Sequence, residues 1–449
     1  MDRHKLDELE ERLGDAYERN SPPVDEAAFE ARLRNMTAAA RRPRLRAPGT
    51  GNRVRVVVYA CLAIVLVAAV AIGTLAAAKY LWDGTPVVVI NDDGTGMSPG
   101  GTGQTQQTSA TTTPTVGRLG ELVWKFLSGG RVRSSPTISG GVVYFGSEDS
   151  YLYAVDAQTG TEKWKFQTGA AIWSSPAVSD GVVYIGSDDA YLYAVDAQTG
   201  TEKWKFQTGA AIWSSPAVSD GEVYVGSTDT YLYALDIQDG AEKWKFKTGN
   251  QITTRPAVSD GVVCFGSFDQ YLYALDTQTG KERWKFKTND AEVGPPAISG
   301  GVVYFGGVVN PPGWDTCLYA RDVQTGTEMW KFSTGSTYGT KIDSTPAISG
   351  GVVYFGVSEA SLHALDIQSG QEKWRFRTVG DYLSVGASPA VSSGVVYFGS
   401  PDGHLYALDS QTGAERWKFQ TGVPIRTRPA VSEGVVYIGS EDGYLYAVK

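Results

Sequence analysis

Four arginines stand in pairs at the two ends of a repetitive region, Arg131 and Arg133 near its start and Arg426 and Arg428 near its end. Guanidinium groups gathered at one place hold carboxylate or phosphate through charge-assisted, often bidentate hydrogen bonds. These four are the candidate ligand-binding residues, and Arg255 could add a fifth. The carboxylates are numerous but periodic. Asp156, Asp196, Asp236, Asp276, Asp322, Asp366 and Asp409 return at one place of a repeat, and Asp149, Asp189, Asp229, Asp269, Asp402 and Asp442 at another. An aspartate that returns at a turn in copy after copy is expected to cap backbone N–H groups, not to ligate metal. His4 lies near the N-terminus, while His363 and His404 occupy positions that other copies fill with tyrosine, which favours packing over acid–base work. No Ser–His–Asp triad can be placed by spacing. Residues 151–181 are identical to residues 191–221, whereas a catalytic constellation needs different residues in defined roles. No catalytic, cofactor-binding or metal-ligating residue is therefore assigned.

The elements that must position these side chains follow from a tryptophan pattern. AVDAQTGTEKW ends at Trp164, and related copies end at Trp204, Trp244, Trp284, Trp330, Trp374 and Trp417. A period of about 40 to 46 residues with four short strand-like runs per unit is the signature of a β-propeller blade. In one unit the runs are SSPAVSD, GVVYIGS, YLYAVD and TEKWKF, rich in Val, Ile, Tyr, Phe and Trp and bounded by turn residues. The Thr-Gly pair supplies a positive-φ turn residue, the small alanine of the third strand permits close backbone approach, and the indole docks each blade on its neighbour. GVVY-type strands are expected from Gly141, Gly181, Gly221, Gly261, Gly301, Gly351, Gly394 and Gly434. The last copy lacks its fourth strand, and Gly120–Phe126 supplies one, with Trp124 at the docking position. The expected fold is an all-β, eight-bladed propeller closed by an N-terminal strand, which removes exposed sheet edges. Closure also brings the two arginine pairs side by side near the channel mouth.

Across about residues 118–449 the Ala-x-Asp-x-x-Thr-Gly-x-x-x-Trp motif resembles that of the PQQ-like propellers, the quinoprotein alcohol dehydrogenases and the BamB-like lipoprotein propellers of outer-membrane barrel assembly. Asp239 and Ser369 replace the motif threonine, and Leu119 stands at the same place in the closing strand. The resemblance implies either a protein-binding scaffold or a quinone-dependent dehydrogenase. The dehydrogenases are longer and carry a calcium site, a catalytic aspartate and adjacent cysteines. This chain has no adjacent cysteines and a near-minimal propeller, so neither PQQ nor calcium is expected.

Ahead of the propeller, residues 56–78 carry no charge and are long enough to cross a bilayer, with six arginines from Arg41 to Arg55 on the N-terminal flank. The reading is a cytoplasmic tail over 1–53 with two short amphipathic helices, a transmembrane helix over 54–80, and a flexible Gly/Thr/Ser linker over 81–117. The protein is then a single-pass cell-membrane protein with a cytoplasmic N-terminus and an extracytoplasmic propeller. A cleaved signal peptide fits less well, because the N-region is long and the apolar run exceeds the usual length. Cys61 lies near the start of that run, where a lipid-attachment cysteine would not.

Beyond residue 55 the chain holds 28 basic and 39 acidic side chains, a balance that disfavours nucleic acid. Three cysteines exclude a disulfide scaffold, and Cys264 and Cys317 are expected as isolated buried thiols. Three lengthened loops, 307–316, 336–344 and 379–387, all fall on the face that carries the second-to-third-strand and blade-to-blade connections. That face is expected to bind a protein partner, with Trp314, Tyr338 and Tyr382 as candidate anchors. The functional expectation is a membrane-anchored, extracytoplasmic, non-catalytic scaffold in envelope protein assembly. The alternative is a PQQ-dependent dehydrogenase, or a sensor of a small anion or of carbohydrate, the last held by Trp173 and Trp213.

Overall fold

In the first repeat four strands form where valine-, tyrosine- and tryptophan-rich runs are separated by residues that tolerate positive φ. They span Thr137–Ser139, Val142–Gly146, Tyr151–Asp156 and Glu162–Gln167 and pair in that order, antiparallel throughout. The computed structural model describes residues 119–288, 293–308, 315–335, 340–378 and 387–449. The proposed tail, transmembrane helix and linker lie outside these residues, as do Trp314, Tyr338 and Tyr382.

Gly140 and Gly141, with φ of 56° and 73°, make the two-residue turn between the inner and second strands, and Asp180 and Gly181 do the same in the next repeat at 48° and 73°. Such paired positive-φ turns match the twist of the flanking strands. The glycine that heads each GVVY run therefore belongs to the turn, and the strand begins one residue later. The second and third strands are buried on both faces, while the outer strand turns Trp164 and Phe166 inward and exposes Glu162, Lys163, Lys165 and Gln167.

The same four-stranded sheet recurs over 177–207, 217–247, 257–287, 297–333, 347–377 and 390–420. The eighth is assembled from both ends of the described chain. Ala430–Ser432, Val435–Gly439 and Tyr444–Val448 are completed by Leu122–Leu127. Trp124 pairs with Ala447 as Trp164 pairs with Ala154 in the first blade. The eight-bladed, strand-closed propeller expected from the repeats is what forms.

The apolar core lies between blades. Tyr144, Leu152 and Ala154 of blade 1 pack with Ile172, Val183, Ile185 and Val195 of blade 2, and blades 8 and 1 are joined in the same way through Tyr437, Leu445, Phe145 and Val155. Burying each large apolar side chain contributes about 1.5–3 kcal/mol. Seven docking indoles also donate Nε1–H to a carbonyl of the adjoining blade, from Trp124 to Ala157 at 3.0 Å through Trp374 to Ser410 at 3.0 Å. Trp417 packs its ring against Gly120. The turn glycine of the adjoining blade also makes a close approach to the indole: a Cβ on Gly160 would lie 2.7 Å from Trp124.

Candidate functional site

The periodic carboxylates are occupied by backbone. Asp156 Oδ1 accepts from the N–H groups of Gln158 and Thr159 and from the Thr159 hydroxyl. Those bonds, the Thr159 N–H first, with Lys163 beside Oδ2, hold its carboxyl down to about 2. Asp149 accepts from Tyr151 N at 3.1 Å, Tyr153 OH at 2.7 Å and Gly129 N at 2.6 Å, so each such aspartate fixes a hairpin and a buried tyrosine. Asp189, Asp229 and Asp269 repeat the set.

His363 takes the tyrosine position in blade 6. It is buried, bonded through Nε2 to Ser361 Oγ at 3.0 Å and through Nδ1 to Glu372 Oε1 at 2.8 Å. Burial is the larger influence and pulls its pKa down to about 4. His404 sits 3.3 Å from Asp402 Oδ1 and against Tyr406. Cys264 and Cys317 are free, buried thiols in the core between blades 4 and 5. Burial pushes both thiols up, Cys317 to about 11, which makes them poor nucleophiles. Among the described residues no group of three His, Cys, Asp or Glu side chains is placed to hold a metal.

The four seam arginines do not form one cluster. Arg133 and Arg426 meet across the junction of blades 1 and 8 because Glu441 Oε1 accepts from both at 3.1 Å, and Glu148 adds a second carboxylate 3.4 Å from Arg133. Arg131 is exposed and its carbonyl accepts from Glu148 N. The Arg133 guanidinium lies 4.8 Å from the centroid of a Trp173 ring, and Trp173 stacks on Trp213 at 6.2 Å and 29°. Trp213 is itself pinned, its Nε1 donating to Asp188 at 2.7 Å. Arg426, Glu441, Arg133, Trp173 and Trp213 thus make a ridge from blade 8 to blade 3. It runs along the blade-to-blade connections. The roles of Glu441 and Asp188 were hidden in the sequence, since both vary in an otherwise regular GS-x-D turn.

Two of the insertions touch. Gly307 and Val308 extend their strand by pairing with Cys317 and Thr316, and Thr316 Oγ1 donates to the carbonyl of Thr340 in the second insertion at 2.8 Å.

Arg428 belongs elsewhere. All eight blades contribute to the wall of a central cavity of about 590 Å³, and the residue just before the proline of each inner strand faces it. That residue is Ser135, Ser175, Ser215, Thr345 or Ser388 in blades 1, 2, 3, 6 and 7, Pro295 in blade 5, and Arg255 and Arg428 in blades 4 and 8. Asp343 is the one carboxylate among the described lining residues. No side-chain amide stands among the described lining residues.

The family model for the outer membrane protein assembly factor BamB, of the PQQ-like repeat class, matches residues 93–173, 167–254, 244–381 and 369–449. Among solved structures, BamB from Moraxella catarrhalis is 20% identical with a TM-score of 0.61, covering 73% of this chain and 98% of its own. A computationally designed protein, Ika8, is 19% identical with a TM-score of 0.63, covering 72% and 97%. A quinohemoprotein alcohol dehydrogenase from Pseudomonas putida HK5 is 18% identical with a TM-score of 0.57, covering 71% of each chain. At these identities the likeness is one of fold. Among curated protein sequences none matches this chain.

Proposed function

The chain belongs to the PQQ-like propeller family of the outer membrane protein assembly factor BamB, and from that premise we propose that it is a non-catalytic scaffold that binds a protein partner on the loop-bearing face of its ring. The observation that carries this reading is the Trp173–Trp213 stack. Two large indoles remain 40% and 42% exposed although they lie against each other. Arg133 covers one and Asp188 fixes the other. Exposed Trp and Arg held in place before binding are what interface hot spots are made of, because little side-chain freedom is lost on docking.

The proposed partner, in keeping with the family resemblance, is a component of envelope protein assembly, and the proposed anchor is a single membrane span over residues 54–80. The titratable groups support a non-catalytic role by their occupation: the turn aspartates hold backbone and His363 is buried among its partners.

Photo-crosslinking residues placed at Trp173 and Trp213 in intact cells should capture one and the same protein. The same residue at Gln198, in a turn of the opposite face, should capture none. Equal or random capture from both faces would sink the docking reading. Purified full-length chain is expected to show no quinone absorbance and no dye-coupled alcohol oxidation, and either signal would overturn its non-catalytic part.

A further inference from the structure

Arg255 and Arg428 hold the same position four blades apart, and in a closed ring of eight that sets them on opposite sides of the channel. Among the described residues neither guanidinium has a carboxylate partner, which they share with the exposed Arg131, Arg375 and Arg377, whereas Arg133, Arg283, Arg321, Arg416 and Arg426 are paired. Water reaches Arg255, yet protein surrounds both groups closely enough for burial to pull each below its ordinary pKa, and Arg428 also feels the positive charge of Arg255. Arginine does not relieve such a conflict by losing its proton.

The hydroxyls between them are arranged to donate. Arg428 N–H donates to Ser135 Oγ, Ser135 N–H to Ser175 Oγ and Ser175 N–H to Ser215 Oγ, each at 2.9 Å. Thr345 N–H does the same to Ser388 Oγ at 2.8 Å on the other side. A serine oxygen that accepts a backbone N–H keeps its own proton for another acceptor. Asp343 is the single opposing charge among the described lining, and it leaves the cavity with a positive excess.

We propose that the channel is a binding site for a small oxyanion of two negative charges, phosphate, sulfate or a compact dicarboxylate, held between Arg255 and Arg428 with the serine hydroxyls donating to its oxygens. The site is separate from the docking ridge, whose arginines are already satisfied by Glu441 and Glu148.

The test uses the full chain at low ionic strength, titrated with inorganic phosphate, sulfate or succinate against chloride of equal ionic strength. Calorimetry and Tm are both read. One or more of the three should raise Tm well beyond chloride, as a ligand selective for the folded state does, and which one responds separates inorganic oxyanion from dicarboxylate. Arg255→Ser and Arg428→Ser install the residue that blades 1, 2, 3 and 7 already use, and each should weaken binding by about tenfold or more. Without added anion the double variant should melt above the wild type, because the like-charge pair is gone. A wild type that responds to all three anions as to chloride, or a double variant that keeps the full response, would overturn the site. Should the variants fail to fold, wild-type calorimetry alone decides.

Discussion

A Cβ on Gly160 would lie 2.7 Å from Cδ2 of the Trp124 indole, so the turn of blade 1 is shaped to receive the tryptophan of the strand that closes blade 8. The same indole donates to Ala157 O at 3.0 Å and lies 5.7 Å from the Tyr437 ring. Trp124→Ala is therefore expected to cost about 3 kcal/mol, and Trp124→Phe, which keeps most of the packing, about 1 kcal/mol. Gly160→Ala should resemble the first, because it meets both the ring and a φ of 73°. Urea midpoints of the three variants check this order, and a harmless Gly160→Ala would mean that the turn yields.

Blade 6 carries the pH dependence. His363 is neutral when folded, its pKa drawn to about 4 by burial, while in the unfolded chain it titrates near its ordinary 6.5. Between those values the unfolded state binds the extra proton, so stability falls as pH drops through about 6.5 and levels off near 4. Tyrosine stands at this position in the other seven blades, as at Tyr153 and Tyr406. His363→Tyr should accordingly flatten the loss of Tm between neutral pH and pH 5. Parallel Tm profiles for the two proteins would contradict the assignment.

Blade 5 half-buries an arginine where the other blades have valine or leucine. The Arg321 guanidinium lies 3.6 Å from the Phe286 centroid, donates to Gly326 O at 2.6 Å and pairs with Glu328 at 3.0 Å, while its buried Nε finds no acceptor. The position matches Val155 and Leu275, and an ion pair with an unmet donor is a weak substitute for packing. Arg321→Leu should be neutral or stabilising by about 1–2 kcal/mol, whereas Glu328→Ala should destabilise by leaving the charge uncompensated. Equilibrium unfolding of the two variants gives opposite signs if this holds.

The ring was legible because each blade repeats its own instructions: Trp164, Gly160 and Asp156 recur at fixed offsets, and Trp124 at the far end supplies the missing strand. The arginines were only half legible. Proximity in sequence grouped Arg426 with Arg428, but these extended residues serve different places, one tied to Glu441 at the seam and the other set in the channel wall. Arg428 is matched instead by Arg255, 173 residues away in number and one position in every blade. Counting from the inner-strand proline would have found that pair. Nothing in the sequence would have found Glu372 as the partner of His363, since glutamate stands at that outward place in blade after blade and meets an imidazole in this one.

A last consequence concerns the turn between second and third strands. Thr230 sits there with φ of 80°, a conformation costly for a β-branched residue, while blades 7 and 8 place Gly403 and Gly443 at 82° and 86°. The Thr230 carbonyl accepts from Thr248 N at 2.9 Å and from its hydroxyl at 2.9 Å, and both bonds survive any change of side chain. Thr230→Gly removes the steric cost but adds freedom to the unfolded chain, which offsets part of the gain. The net expectation is about 0.5–1 kcal/mol of stabilisation. In blade 7 the converse change meets a wall, because a Cβ on Gly403 would come 3.1 Å from Val423 N, and Gly403→Ala should lower stability. Thermal midpoints moving in opposite directions for these two substitutions would establish that the turn, and not the hydrogen bonds around it, sets the preference.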